Sequence, residues 1–198
     1  MFVARILYPV KVLGPGNRVG IWFAGCNHMC PGCSNPELWE MQERYRTDCD
    51  TVMQLIGRLK EQHPIDGFTL TGGDPFLQPD ALRELLPRLT EISGDILVYT
   101  GFLYEELTGK YDDILSQIAI LIDGPYIEAR NHGETLRGSD NQRILRLKPE
   151  FANKYETNGK SMIQNFATRD GIISVGIHLP GYEKSIDKAA RSKGLEAK

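Results

Sequence analysis

The sequence predicts an α/β protein built on a mostly parallel sheet, and three observations carry that prediction. Short apolar runs alternate with stretches of helical periodicity along the first three quarters of the chain. Four successive runs each end in a turn that carries Gly, Thr, Asp or Cys. The composition, 41% hydrophobic and 25% charged over 198 residues, is that of a globular chain with a sizeable core.

The elements follow in order. Residues 19–24 read as a first strand, and a cysteine-rich segment follows it directly. Residues 50–62 have helical spacing, with Val52, Leu55, Ile56 and Leu59 on one face and Asp50 or Thr51 as cap. Residues 68–70 form a short strand that runs into Thr71-Gly72-Gly73-Asp74-Pro75. A helix over 79–92 has Pro79 in its first turn and Leu82, Leu85, Leu86 and Leu89 as its buried stripe. A third strand at 96–99 ends in Thr100-Gly101. A helical stretch around 112–117 leads into a strand over 118–122, ended by Asp123-Gly124-Pro125.

Strands separated by helices imply parallel pairing through crossovers. In a (β/α) barrel or its partial forms, the C-terminal strand ends build the active face. One site assembled from four loops is therefore expected. Residues 128–140 are polar and loop-like, and 142–147 add one more strand. Beyond Pro149 the style changes: apolar runs at 161–166 and 172–179 around Arg169-Asp170-Gly171 predict a β-hairpin with an Asp-Gly turn. Residues 183–198 are charged and nearly free of large apolar residues, a solvated helix or a flexible tail. The expected division is a main domain at 1–150, a β extension at 151–182 and the tail at 183–198.

The charge balance, 23 Lys+Arg against 26 Asp+Glu for a net −3, does not point to nucleic acid or an anionic membrane as partner. No apolar run approaches the ~20 residues that span a bilayer. The first residues carry neither a basic segment nor a long apolar stretch, so a cytoplasmic location is expected. In a reducing compartment, three of the four cysteines within eight residues point to metal rather than to disulfides.

Those three form Cys26-Asn-His-Met-Cys30-Pro-Gly-Cys33, a C-x3-C-x2-C spacing. A structural zinc site closes on four ligands. Here Cys49 is distant and His28 lies inside the run, where ring closure is strained. Three soft thiolates with an open position suit a [4Fe–4S] cluster better, leaving one iron free for another ligand. Zinc and ordinary buried thiols remain the competing explanations.

C-x3-C-x2-C after a first strand resembles the signature of the radical S-adenosylmethionine superfamily. The resemblance implies a partial (β/α) barrel of the radical SAM type, followed here by the C-terminal β-hairpin extension. It implies that Cys26, Cys30 and Cys33 hold the cluster and that S-adenosyl-L-methionine binds the open iron, to be cleaved reductively to a 5′-deoxyadenosyl radical. Gly72, Gly73 and Asp74 resemble the motif that contacts the methionyl amino group; paired glycines let backbone approach a ligand, and Asp74 adds negative charge near an ammonium. Gly32, Cys33 and Ser34 occupy the turn that lies against adenine in relatives, although Gly32 replaces a common aromatic residue. Thr100 and Asp123, with Tyr99, are the remaining cofactor candidates, and each has the alternative of simply ending a strand.

Gly14-Pro15-Gly16-Asn17-Arg18, Pro31-Gly32, Tyr99-Thr100-Gly101, Asp123-Gly124 and Arg137-Gly138-Ser139-Asp140-Asn141-Gln142 narrow the resemblance to activating proteins of glycyl-radical enzymes, over residues 5 to 148. The resemblance implies anaerobic ribonucleotide reductase as the partner and abstraction of a glycine α-hydrogen from it as the reaction. A flavodoxin- or ferredoxin-type protein is the implied reductant. There is no second cysteine cluster, and the residues after 150 run past the usual end of reductase activators. The alternatives are a radical SAM enzyme acting on a small molecule or peptide, with the hairpin as cover, and a non-catalytic iron–sulfur or zinc module. Among single residues, Trp22 and Phe23 read as core, Trp39 as packing after the cysteines, and His28 as exposed beside the cluster. Cys49 reads as a free or buried thiol, Arg137 and Arg143 as solvated or partner-docking, and His63, His132 and His178 as scattered.

Overall fold

In the computed structural model, residues 1–155, 159–168 and 171–192 are described. A six-stranded sheet has the order β1-β2-β3-β4-β5-β6: β1 Val3–Val10, β2 Arg18–Phe23, β3 Gly67–Gly72, β4 Ile96–Tyr99, β5 Ile120–Asp123 and β6 Arg143–Arg146. The four central strands run parallel, while β1 and β6 pair antiparallel at the edges. The order places no β1–β6 pairing among the described residues, so the sheet is open. A separate two-stranded antiparallel hairpin pairs β7 Ile163–Thr168 with β8 Gly171–Gly176. Its expected turn at Arg169-Asp170 lies outside the described residues.

The five expected strands of the sheet are present as β2 to β6, with ends shifted by at most a few residues. β1 was not anticipated. Its residues are half-buried and its pairing with β2 has two register breaks, so it carries no clean alternation of period two. Buried Gln78 fixes its start, accepting from Phe2 N (2.7 Å) and donating to the carbonyls of Phe2 (3.0 Å) and Ala24 (2.9 Å).

Helix α1 spans Cys49–Gln62, and its cap is Asp48, two positions upstream of the nearer expected cap, Asp50: the Asp48 carboxylate accepts from Thr51 N at 2.7 Å. Cys49, Val52 and Ile56 are its buried residues, whereas Leu55, expected on that face, is 43% exposed. Helix α2, Pro79–Thr90, buries the four predicted leucines, each worth about 1.5–3 kcal/mol relative to exposure. Short helices α3 Tyr104–Leu107, α4 Asp112–Leu115 and α5 Pro149–Ala152 follow, and α6 Tyr182–Ser192 occupies the start of the charged tail.

Residues of α1 to α4 cover one face of the sheet, meeting Val19, Ile21, Phe23, Leu70 and Val98. On the opposite face, Leu97, Ile120 and Ile122 pack with Leu136 and Tyr155, and Trp22 packs with Val10, Leu13, Leu38 and Val175. Among the described residues no helix is long and apolar enough to cross a membrane.

Candidate functional site

At the C-terminal ends of β2 to β5 the second face opens into a cavity. Cys26, Cys30 and Cys33 all line it, with Gly72, Gly73 and Asp74 from the end of β3, Thr100 and Gly101 after β4, and Gly124 after β5. The four expected loops thus meet.

The cysteine loop leaves β2 at Gly25, whose N–H donates to Leu38 O (2.8 Å), while Cys26 N donates to Trp39 O (2.9 Å). The loop therefore returns on itself, and its turn puts Met29 at φ 45°, the left-handed region that side chains enter at a cost. Backbone N–H groups face each sulfur: those of His28 and Met29 at Cys26, that of Tyr126 at Cys30, and that of Asn35 at Cys33, the last at 3.4 Å. Burial nevertheless dominates and pushes all three thiols above their ordinary acid range. No Lys or Arg stands among the described residues lining the cavity, so three thiolates there would have no ammonium or guanidinium to offset them. Iron fits that need. Trp39 adds a second sign: its indole N–H is buried with no full hydrogen bond, and it is directed at the Cys33 sulfur, whose ionised form it favours. A sulfur-rich cluster would give that donor an acceptor. Among the described residues no three His, Cys, Asp or Glu side chains converge tightly enough to grip a single metal ion. Cys49 is far from this loop in role, buried at 1% exposure in the helix-covered core.

Asp74 is the hub of the site. Its buried carboxylate accepts from Phe76 N (3.0 Å), Gly101 N (2.9 Å) and Thr100 Oγ1 (3.0 Å), and pairs with His28 Nε2 at 3.0 Å. It thereby ties the cysteine loop to the ends of β3 and β4. His28 is therefore half-buried, packed edge-on against Phe102, and not simply exposed; the Asp74 hydrogen bond raises its pKa. The glycines beside Asp74 have a packing reason. A Cβ on Gly72 would strike Phe23 backbone and one on Gly73 would strike Gly25 backbone, because Gly73 N and Asp74 N donate to Phe23 O and Gly25 O at 2.7 Å each.

Other candidates are placed differently. Ser34 lines the cavity, but Gly32 turns into a neighbouring hollow beside Glu128 and Tyr182. Asp123 does not line the cavity. Fully buried, it accepts from Arg143 Nε (2.9 Å) and Tyr104 N (2.8 Å), closing the β5–β6 pair in which it stands opposite Arg143. Arg143 also grips Glu105, and Arg137 reaches Glu134 and the carbonyls of Asp140 and Gln142; neither guanidinium is a free loop cation. Tyr99 lines the cavity and donates from its hydroxyl to Leu136 O at 2.6 Å.

Sequence reasoning missed Tyr126 and Gln142 as lining residues, and it set residues 174–178 near the site only in the alternative that used the hairpin as cover; all of them line the cavity. Gln142 carried a signal in its place at the end of the Arg-Gly-Ser-Asp-Asn-Gln run: its amide donates to Gly124 O and accepts from Gly138 N, both at 2.8 Å.

The model of the 4Fe-4S single cluster domain family matches residues 12–145. A protein of Enterobacteria phage T4 named anaerobic ribonucleoside-triphosphate reductase-activating protein is 35% identical over 144 residues, 70% of this chain and 90% of its own length. Proteins of the same name are 36% identical in Haemophilus influenzae and 31% identical in Escherichia coli K12, each over 149 residues, 71% of this chain and 96% of theirs. With its cysteine loop and strand ends gathered on one cavity, the chain belongs to the 4Fe-4S single cluster domain family and, within it, to the anaerobic ribonucleoside-triphosphate reductase-activating proteins.

Proposed function

We propose that this protein is a radical SAM activase that installs a glycyl radical on anaerobic ribonucleotide reductase. The observation that carries the reading is the convergence of three thiols from one C-x3-C-x2-C loop with the strand ends at Gly72-Gly73-Asp74 and Thr100-Gly101. In this reading Cys26, Cys30 and Cys33 hold a [4Fe–4S] cluster, and S-adenosyl-L-methionine lies across the same cavity. When bound, the pair supplies a hydrogen-abstracting radical by one-electron cleavage of the cofactor's S–C5′ bond.

The chain's own residues do the positioning. Backbone N–H groups of His28, Met29, Tyr126 and Asn35 offset the negative charge on the sulfurs. Asp74 fixes the cysteine loop against β3 and β4, so its negative charge acts from a locked position. The backbone of Gly72, Gly73 and Gly101 forms the floor on which a ligand rests without side chains between. Ser34 with Cys33 offers the contact for an adenine, whereas Gly32 and Asp123 act indirectly, by turning the loop and by anchoring β6.

The six-stranded sheet reads as a partial (β/α) barrel, with residues 1–150 as the radical SAM domain, 151–182 as an extension and 183–198 as a charged tail. The acting compartment is the cytoplasm and the electron donor a flavodoxin- or ferredoxin-type protein; neither nucleic acid nor membrane takes part. Anaerobic reconstitution tests the function. It should give four iron and four sulfide per chain, 5′-deoxyadenosine after reduction, and a glycine-centred EPR signal on added reductase. A full cluster that leaves the cofactor intact would sink the reading. One observation, the hairpin beside the cavity, favours a small molecule or peptide as substrate instead; deuterium from the α-position of a labelled reductase glycine appearing in 5′-deoxyadenosine would decide against it.

A further inference from the structure

The family model ends at residue 145, yet Ser174, Val175, Gly176, Ile177 and His178 line the cavity that holds the three thiols. This part of the chain lies beyond the region it shares with that family, and it is seated firmly. Gln164 donates to Pro9 O (2.7 Å) and accepts from Lys11 N (2.9 Å), gripping the end of edge strand β1. Val175, 4% exposed, enters the apolar cluster of Val10, Leu13, Trp22 and Leu38. Asn131 Nδ2 donates to His178 O at 2.7 Å, and Ser161 N donates to Gly133 O at 2.9 Å. The His178 ring is stacked on Tyr182 at 4.4 Å. Each contact joins the extension to the family core or fixes the segment that faces the thiols.

We infer that residues 174–178 are an access wall of the site, which decides what reaches the cysteine loop. The inference rests on the activase reading for the identity of the entrant: an extended, uncharged peptide stretch that presents glycine. Its chemistry agrees with the lining, which offers Ile177, a hydroxyl at Ser174 and an imidazole at His178, with no Lys or Arg among the described lining residues. The relatives match over 90–96% of their own length while covering only 70–71% of this chain, and the wall lies past the end of the family model at residue 145, so the wall narrows a common site and does not create it.

Thiol labelling of the full-length apoprotein tests the wall without cluster or cofactor. Iodoacetamide and a bulky polyethylene-glycol maleimide are compared at each cysteine by mass spectrometry, with buried Cys49 as internal reference. Val175→Asp puts a carboxylate into the apolar seat, and Gln164→Ala removes both contacts to β1. The bulky reagent should label Cys26, Cys30 and Cys33 several-fold faster in Val175→Asp and less so in Gln164→Ala, while iodoacetamide changes little. Unchanged bulky-reagent rates in Val175→Asp, with Cys49 still protected, would overturn the inference. If Cys49 becomes reactive the core has opened, and Gln164→Ala then decides by the same criterion. A protein that labels as expected but never cleaves S-adenosylmethionine would retain the wall and lose the activase reading.

Discussion

The two ends of the open sheet face hold polar groups in opposite conditions. At the N-terminal ends of the strands, Arg18 is fully buried and spends its guanidinium on Thr69 Oγ1 (2.8 Å), Asp95 Oδ1 (3.1 Å), Asp95 O (2.9 Å) and Phe68 O. Tyr155 donates to the same Asp95 carboxylate, and Thr69 donates to Leu13 O at 2.7 Å. At the C-terminal ends, three thiols are held above their ordinary acid range by burial, and the buried Trp39 N–H makes no full hydrogen bond and has only the Cys33 sulfur to turn to. One end is a closed knot in which charge and hydrogen bonds balance within the chain. The other is left incomplete, in the way expected where a ligand is to supply the balance.

The largest expected effect is at the open end. Cys26→Ala, Cys30→Ala and Cys33→Ala should each abolish cluster assembly, read as loss of iron and of visible absorption, whereas Cys49→Ala should retain both. Loss of iron in Cys49→Ala would mean the ligand set is wrong. Next comes the knot. Asp95→Ala leaves the buried Arg18 charge uncompensated, and chemical denaturation should report about 3–5 kcal/mol lost, a large share of ordinary domain stability. Iron content of the folded fraction should not change, and a variant that stays stable but loses iron would erase the contrast between the ends.

Arg143→Ala strips buried Asp123 of its guanidinium but leaves Tyr104 N. Because Arg143 is itself 41% exposed, the cost should be about 2 kcal/mol by thermal unfolding. Trp39→Phe keeps the ring and removes the donor. An N–H aimed at sulfur favours the more negative, reduced cluster, so the variant's midpoint potential should fall by about 60 mV, roughly tenfold for one electron. An unchanged potential with full iron would assign Trp39 to packing alone. The smallest effect is at Glu105, whose pKa the Arg143 hydrogen bonds depress to about 2. A depressed carboxyl stabilises above its unfolded value of about 4.3 and loses that contribution as pH falls toward 2. Glu105→Gln should therefore lower the melting temperature slightly at neutral pH and not at all near pH 2; an equal loss at both would exclude the ion pair as its cause.

The Gly14-Pro15-Gly16 run shows how a motif can identify a family without touching its site. A Cβ on Gly14 would stand 2.8 Å from the Arg18 side chain, and Gly16 abuts Asp66. These glycines wrap the closed knot. Asp123 makes the same point in reverse: it ends a strand beside Gly124, as a ligand-facing residue would, but lies opposite Arg143 in an antiparallel register that no local pattern announces. The half-buried, register-broken β1 was illegible for a related reason, since only its pairing with β2 makes it a strand.

By itself the sequence determined what is local: the cysteine spacing, the helices with periodic leucines, the parallel strands and the turns that end them. Those follow from short-range geometry, 3.6- and 2-residue periods and ring closure over a few bonds. Only the tertiary structure decided that Asp74 clamps two strand ends to the cysteine loop, that Arg18 seals the far end, and that residues 174–178 return to stand beside Cys26, Cys30 and Cys33. The Asp74 and Arg18–Asp95 contacts join residues 26 to 77 positions apart. They arise because a buried donor or charge must find its partner wherever the packed chain brings one near.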